Sequence, residues 1–277
     1  MLTRIAGALL RAFLMVLLVA TPSAMLPGTP SDTTQIVALV AVLVAFLTFI
    51  EYYADCPSFV EFSTAAPYNR VRYLVALTTV FILAVMCRGK VEPSTITMFF
   101  TAIGQGLSAL IDFPYSPVRL MVLMMPDDTE AATVNAVRTA AGIAYIVSIC
   151  GLAVMVLLVR VWHWPRQTGG LNLWTNLPNF DPASGKDIVQ TLSRDGQLNI
   201  ILGFLLPFLI PAGISLISRL VNPVDMSDPH IMIWTVTAWA FLPASLIMRG
   251  IALSRIADMI KSQRARAAST GIGLQPA

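Results

Sequence analysis

The run QIVALVAVLVAFLTFIEYY, residues 35–53, decides the fold. From Ile36 to Ile50 no side chain is charged. A helix needs roughly 20 such residues to cross a hydrocarbon core about 30 Å thick. In lipid the backbone polar groups must pair within their own segment, so this run predicts a spanning helix. It closes on Glu51, Tyr52 and Tyr53 and passes into EYYADCPSFVEFSTAAPYNRVRY, Glu51–Tyr73, which holds four of the six tyrosines of the chain.

Outward from this run the same texture recurs. Gln35–Tyr53, Arg72–Cys87, Thr95–Ile111, Thr139–Val161, Leu198–Ile217 and Ile231–Ile251 are the six segments expected to span. Thr95–Ile111 is the least apolar at its centre, because Gly104, Gln105 and Gly106 interrupt it. The chain is 56% apolar and 12% charged, with a mean hydropathy of +0.75. Soluble domains are about 45–50% apolar and about 25% charged. No strand-like alternation is present. The expected fold is therefore all-α, a polytopic transmembrane helical bundle forming one membrane domain over residues 1–277.

Charge gives the expected orientation. With the residues before Gln35 in the cytoplasm, Arg4, Arg11, Arg88, Lys90, Arg160, Arg166, Lys186, Arg194, Arg249, Arg255, Lys261, Arg264 and Arg266 lie inside, 13 in all. Arg70, Arg72, Arg119, Arg138 and Arg219 lie outside, which makes 5. This asymmetry matches the positive-inside rule and predicts a cytoplasmic carboxyl terminus in a bacterial-type inner membrane. It also accounts for the net charge of +3 without a nucleic-acid partner.

The first 27 residues offer two placements. MLTRIAGALLRAFLMVLLVATPSAML has the outline of a signal peptide, but cleavage after Ala24 would invert every later span against the charge count. Arg4 and Arg11, seven apart, share a helical face. A helix on the cytoplasmic surface satisfies both arginines, whereas a seventh span would put them on the minority side. Further along, prolines 114, 117 and 126 bracket an apolar piece too short to cross. Residues 162–196 form the largest predicted cytoplasmic loop, in which Ser184–Asp187 caps a short helix bearing Ile188, Val189 and Leu192. Residues 254–277 are a basic cytoplasmic tail.

Two groups of residues stand out as candidate sites. In the Glu51–Tyr73 connector, Tyr52, Tyr53, Tyr68 and Tyr73 suit an interfacial aromatic belt. Asp55, Glu61, Arg70 and Arg72 are mixed there with Phe59 and Phe62. Rings interleaved with both charge signs fit an outer cap or a partner-binding surface made by Tyr52, Tyr53, Asp55, Phe59, Glu61, Phe62, Arg70 and Arg72. In the fifth span Gly203, Pro207, Pro211 and Ser215 recur every four residues on one face. Each proline lacks an amide donor and leaves a carbonyl without its helical partner. Such a broken helix is either a packed kink or, with Gln105, part of a transport path. Ala140, Ala144, Ser148 and Gly151 form a small-residue stripe suited to close helix packing.

Enzyme motifs fail on inspection. There is no HExxH, and His163 and His230 are isolated on predicted opposite sides. SGKD lacks the glycine and hydroxyl of a phosphate loop. Cys56, Cys87 and Cys150 have no metal-ligand spacing, and Cys56 and Cys87 lie at opposite ends of a span in the predicted topology, too far apart for a disulfide. No metal or cofactor is expected. The leading expectation is a structural, assembly or accessory subunit of a larger membrane complex, with the bilayer and other membrane subunits as partners. A small-solute transporter or channel is the alternative, and a membrane enzyme is third.

Overall fold

The computed structural model describes residues 2–55, 57–165, 176–178, 187–217 and 225–269. Among these residues there are eight helices and no strand: α1 (Leu2–Met25), α2 (Ser31–Tyr53), α3 (Tyr68–Gly89), α4 (Thr95–Ile111), α5 (Pro117–Leu123), α6 (Ala131–Arg160), α7 (Ile188–Ile217) and α8 (Pro229–Ser269). The all-α bundle expected from composition is the fold observed. Six helices, α1, α2, α3, α6, α7 and α8, are long and apolar enough to cross a membrane. The shortest, α3, has 22 residues and is about 33 Å long.

The ends of the bundle are identified by contacts remote in sequence. At one end Arg4, in the first turn of α1, pairs with Asp55 just beyond α2. There Glu61 pairs with Arg249 of α8, and the Trp164 indole, just past α6, donates to the Ala66 carbonyl at 2.9 Å. Because α8 runs on past the bundle here, we call it the tail end. At the far end Leu26, Met86, Cys87, Val118, Met121, Met226 and Met232 belong to one core. The six long helices alternate in direction between these ends.

Two expectations change together. Thr95–Ile111 does not carry the chain across. α4 starts beside the end of α3, where a Cβ on Gly89 would meet Thr97 at 2.6 Å. It finishes at Asp112, whose carboxylate pairs with Arg138 in the third turn of α6. Both ends of α4 thus lie in the far half. Its 17 residues bury a small, polar face made by Thr97, Gly104 and Ser108 against the bundle and turn Ile96, Met98, Phe99 and Leu110 outward.

Leu2–Met25, conversely, is a helix of spanning length rather than a surface helix. α1 pairs along α2, and its Leu14 carbonyl accepts the Tyr73 hydroxyl of α3 at 2.8 Å. The charge objection to this placement dissolves once α4 no longer crosses. Among the described residues Arg4, Arg11, Arg70, Arg72, Arg160, Arg194, Arg249, Arg255, Lys261, Arg264 and Arg266 lie toward the tail end, which is 11. Arg88, Lys90, Arg119 and Arg138 lie toward the far end, which is 4.

The connector and the loop after α6, expected on opposite faces, therefore meet at the tail end. Nor is there a separate short helix at Ile188: that segment is the first turn of α7, and Leu192 is buried against α8. Residues 184–186 of the expected cap, together with Cys56, Arg166, Lys186 and Arg219, fall outside the described residues.

Close helix approach depends on missing side chains, since lipid supplies no hydrophobic drive between helices. Along α7 and α8 a Cβ on Gly250 would stand 2.5 Å from the Gly196 carbonyl oxygen, and one on Gly203 would stand 2.6 Å from the Pro243 carbonyl oxygen. Ala140, Ala144, Ser148 and Gly151 are buried along α6, and a Cβ at Gly151 would meet Val75 at 2.3 Å. α2 is the exception: it leans on α1 and buries only Ala41.

Candidate functional site

Three places carry organised polar chemistry. The first is the connector, which is a built cap rather than a loose loop. The Glu51 carboxylate, in the last turn of α2, accepts from the backbone N–H groups of Ser58, Phe59 and Val60 at 2.9, 2.9 and 3.1 Å. Glu61 binds Arg249 through two parallel bonds of 2.7 Å, the bidentate geometry in which a guanidinium is strongest. The Asn69 amide donates to the Glu61 carbonyl, and Asn176 exchanges hydrogen bonds with Thr64.

Phe62 sits at φ 55°, unusual for a bulky residue. Its N–H donates to the Asn176 carbonyl, and its ring is buried against Tyr68 and Trp164. A conformation of this kind persists only where its surroundings over-determine it.

The eight connector residues expected to form a surface divide into two sets. Asp55 is taken by Arg4, Glu61 by Arg249, Tyr52 by the Arg11 guanidinium 4.5 Å from its ring centroid, and Arg72 by the Tyr68 ring. Phe62 is core. Phe59 is 83% exposed, and Tyr53 and Arg70 are exposed as well. Of the four tyrosines, Tyr68 is fully buried and so is no part of a belt.

The second place is the proline face of α7. Gly203, Pro207 and Pro211 are buried toward α8, with Ser215 one turn further on. Pro211 has no N–H, so the Pro207 carbonyl loses its usual donor four residues on. The buried Trp239 indole of α8 supplies the replacement at 3.0 Å. Gln105 does not join this face. It lies on α4, whose helix neighbours are α3 and α6, whereas α7 packs on α8 and α5.

The third place was not legible as a cluster. Asp112 ends α4, Arg119 lies on α5 and Arg138 on α6. The Asp112 carboxylate, 9% exposed, lies in ion-pair contact with Arg119 Nε at 2.7 Å and Arg138 Nε at 2.9 Å, without the alignment of hydrogen bonds. Arg138 Nη1 donates to the Asn135 side-chain oxygen at 2.8 Å. Beside this triad opens a cleft of about 480 Å³ lined by Gln105, Ser108, Asn135 and Thr139. Only the pattern of one acid among two arginines around short apolar helices hinted at it.

No three His, Cys, Asp or Glu side chains gather as a metal site among the described residues. His163 is exposed beside the buried Trp164. No family model, curated protein or solved structure matches this chain. Fold and hydropathy define its class: a multi-pass integral membrane protein of the helical-bundle type.

Proposed function

We propose that this protein is a structural or assembly subunit of a larger complex in a bacterial-type cytoplasmic membrane, with its tail end in the cytosol and the connector cap as its docking surface. The excess of Lys and Arg at the tail end supports that orientation, because cytoplasmic segments retain basic residues. The cap carries the functional part. Three backbone amides are fixed on one carboxylate so that Phe59, in their midst, points outward. Aromatic anchors of this kind, rimmed by arginine and tyrosine, dominate protein interfaces.

The transport alternative is less well supported. It needs Gln105, Gly203, Pro207, Pro211 and Ser215 to share a path, but Trp239 caps the break and Gln105 sits elsewhere.

A photo-reactive residue at position 59 tests the proposal. It should crosslink to one membrane protein of defined mass, while the same probe at the lipid-facing Leu39 should not. Phe59→Ala with Arg70→Ala should move the protein, after mild solubilisation, from a large assembly to its own mass. Wild type and double variant migrating at the same size would overturn the proposal.

A further inference from the structure

The cleft beneath α4 is amphipathic, and that property identifies what fits it. Its polar chamber is lined by Gln105, Ser108, Asn135, Thr139 and the Asp112–Arg138 ion pair. A second chamber of about 220 Å³ shares Gln105, Asn135 and Thr139 with it. That second chamber is walled mainly by apolar groups, among them Leu83, Met86, Ala136 and Met232, with Lys90 at the end of α3 also lining it. A polar compartment and an apolar one thus adjoin through three side chains.

Electrostatics adds the sign. Arg119 and Arg138 share the single Asp112 carboxylate, so the triad keeps one formal positive charge, with Asp112 and Arg138 in the chamber lining and Arg119 behind them on α5. Asp127, Asp128 and Glu130 of the following loop are exposed and pair with neither arginine. The Arg138 guanidinium matches the oxygens of a phosphate, and Lys90 adds a cation to the lining of the adjoining chamber. The outer side of α4 is a lipid-type surface formed by Ile103 and Leu110. An amphiphile can therefore reach the cleft from the bilayer.

From this juxtaposition we infer that the α4–α6 cleft binds an anionic phospholipid, its phosphate beside Arg138 and part of one acyl chain in the chamber against Ala136. The site is at the far end and is independent of the cap proposed as a docking surface. Bound lipid would join α3, α4 and α6, and α4 would otherwise be held mainly by its small-residue face.

The test uses the purified full chain in detergent, with phosphatidylglycerol, phosphatidylcholine and inorganic phosphate as probes and native mass spectrometry as readout. Phosphatidylglycerol should be retained in preference to phosphatidylcholine. Arg138→Gln should weaken its retention about tenfold, the worth of a charge-assisted hydrogen bond. Because that change also strips a partner from Asp112, Lys90→Gln and Ala136→Phe serve as variants that leave the triad intact. Each should lower phosphatidylglycerol retention, Ala136→Phe by filling the apolar chamber. Equal retention of the two lipids would overturn the inference, as would retention unchanged in all three variants. Binding of inorganic phosphate that Arg138→Gln abolishes, with no preference among lipids, would make the cleft a soluble-anion site and equally overturn the lipid assignment.

Discussion

Trp239→Phe isolates one bond on which the α7–α8 contact depends. The Trp239 indole is 2% exposed, donates to the Pro207 carbonyl at 3.0 Å and stacks on Tyr145 at 5.9 Å between centroids. Phenylalanine keeps a ring in place and removes the donor. Interhelical hydrogen bonds in membranes average only about 0.6 kcal/mol and reach about 1.7, because separated helices find other partners. The Pro207 carbonyl has no such recourse: Pro211 denies it an N–H whether or not the helices touch. The bond should therefore lie near the upper figure, about 1.5 kcal/mol. Loss of indole volume adds roughly 1 kcal/mol of packing.

A double-mutant cycle separates these two contributions. Pro211→Ala restores the missing N–H, so Trp239→Phe in that background should lose only the packing part. Unfolding in mixed micelles of increasing SDS, followed by circular dichroism, should give a coupling energy of about 1.5 kcal/mol. Equal costs in the two backgrounds, within about 0.5 kcal/mol, would refute the account of the carbonyl.

Three further outcomes follow. Removing one partner from a buried pair costs about 3–5 kcal/mol, but the Arg249 side chain is 29% exposed, so Glu61→Ala should destabilise the cap by about 2 kcal/mol. Proteolysis of the connector should then quicken roughly thirtyfold, and Arg249→Leu in the same chain should reverse most of it. Thiols introduced at Ser58 and Gln263 should label from one face of oriented membranes and a thiol at Asp128 from the other; Ser58 and Asp128 labelling together would break the six-helix topology. The Arg264 guanidinium bonded to Asp187 holds that carboxyl below its ordinary value of 3.8. The tie between the α7 start and the tail should hold above that value and be lost as pH falls through the lower, folded one. Spin labels at Gln190 and Gln263 should report a narrow distance at pH 6 that broadens in strong acid or with Asp187→Asn.

The bundle itself was legible because composition alone puts this backbone in lipid. Which segments cross was harder. Thr95–Ile111 and the first 25 residues have similar apolar texture, and exchanging their roles moves Arg70 and Arg72 toward the basic end and Arg88 and Lys90 away from it. The imbalance of cations hardly changes, so charge counting could not separate the two topologies. What does separate them is Asp112 between Arg119 and Arg138, an ion cluster whose members come from three helices. The orphaned carbonyl of α7 could be read from two prolines four residues apart, but its donor could not, since Trp239 lies 32 residues on in another helix. The connector was visibly more than a turn. Its anchor, Arg249, is 188 residues from Glu61 and could not be paired with it without the fold.

The length of α8 has a mechanical consequence. The 27 residues from Pro243 to Ser269 make a helical rod about 40 Å long, packed along its first half on α7 at Gly250 and tied to the connector by Arg249. A tilt of roughly ten degrees of this rod against α7 swings its tip by about 7 Å. A small shift in the α7–α8 contact is thus geared into a larger sweep of Arg255, Lys261, Arg264 and Arg266, and whatever grips that lever can feel the state of the interior.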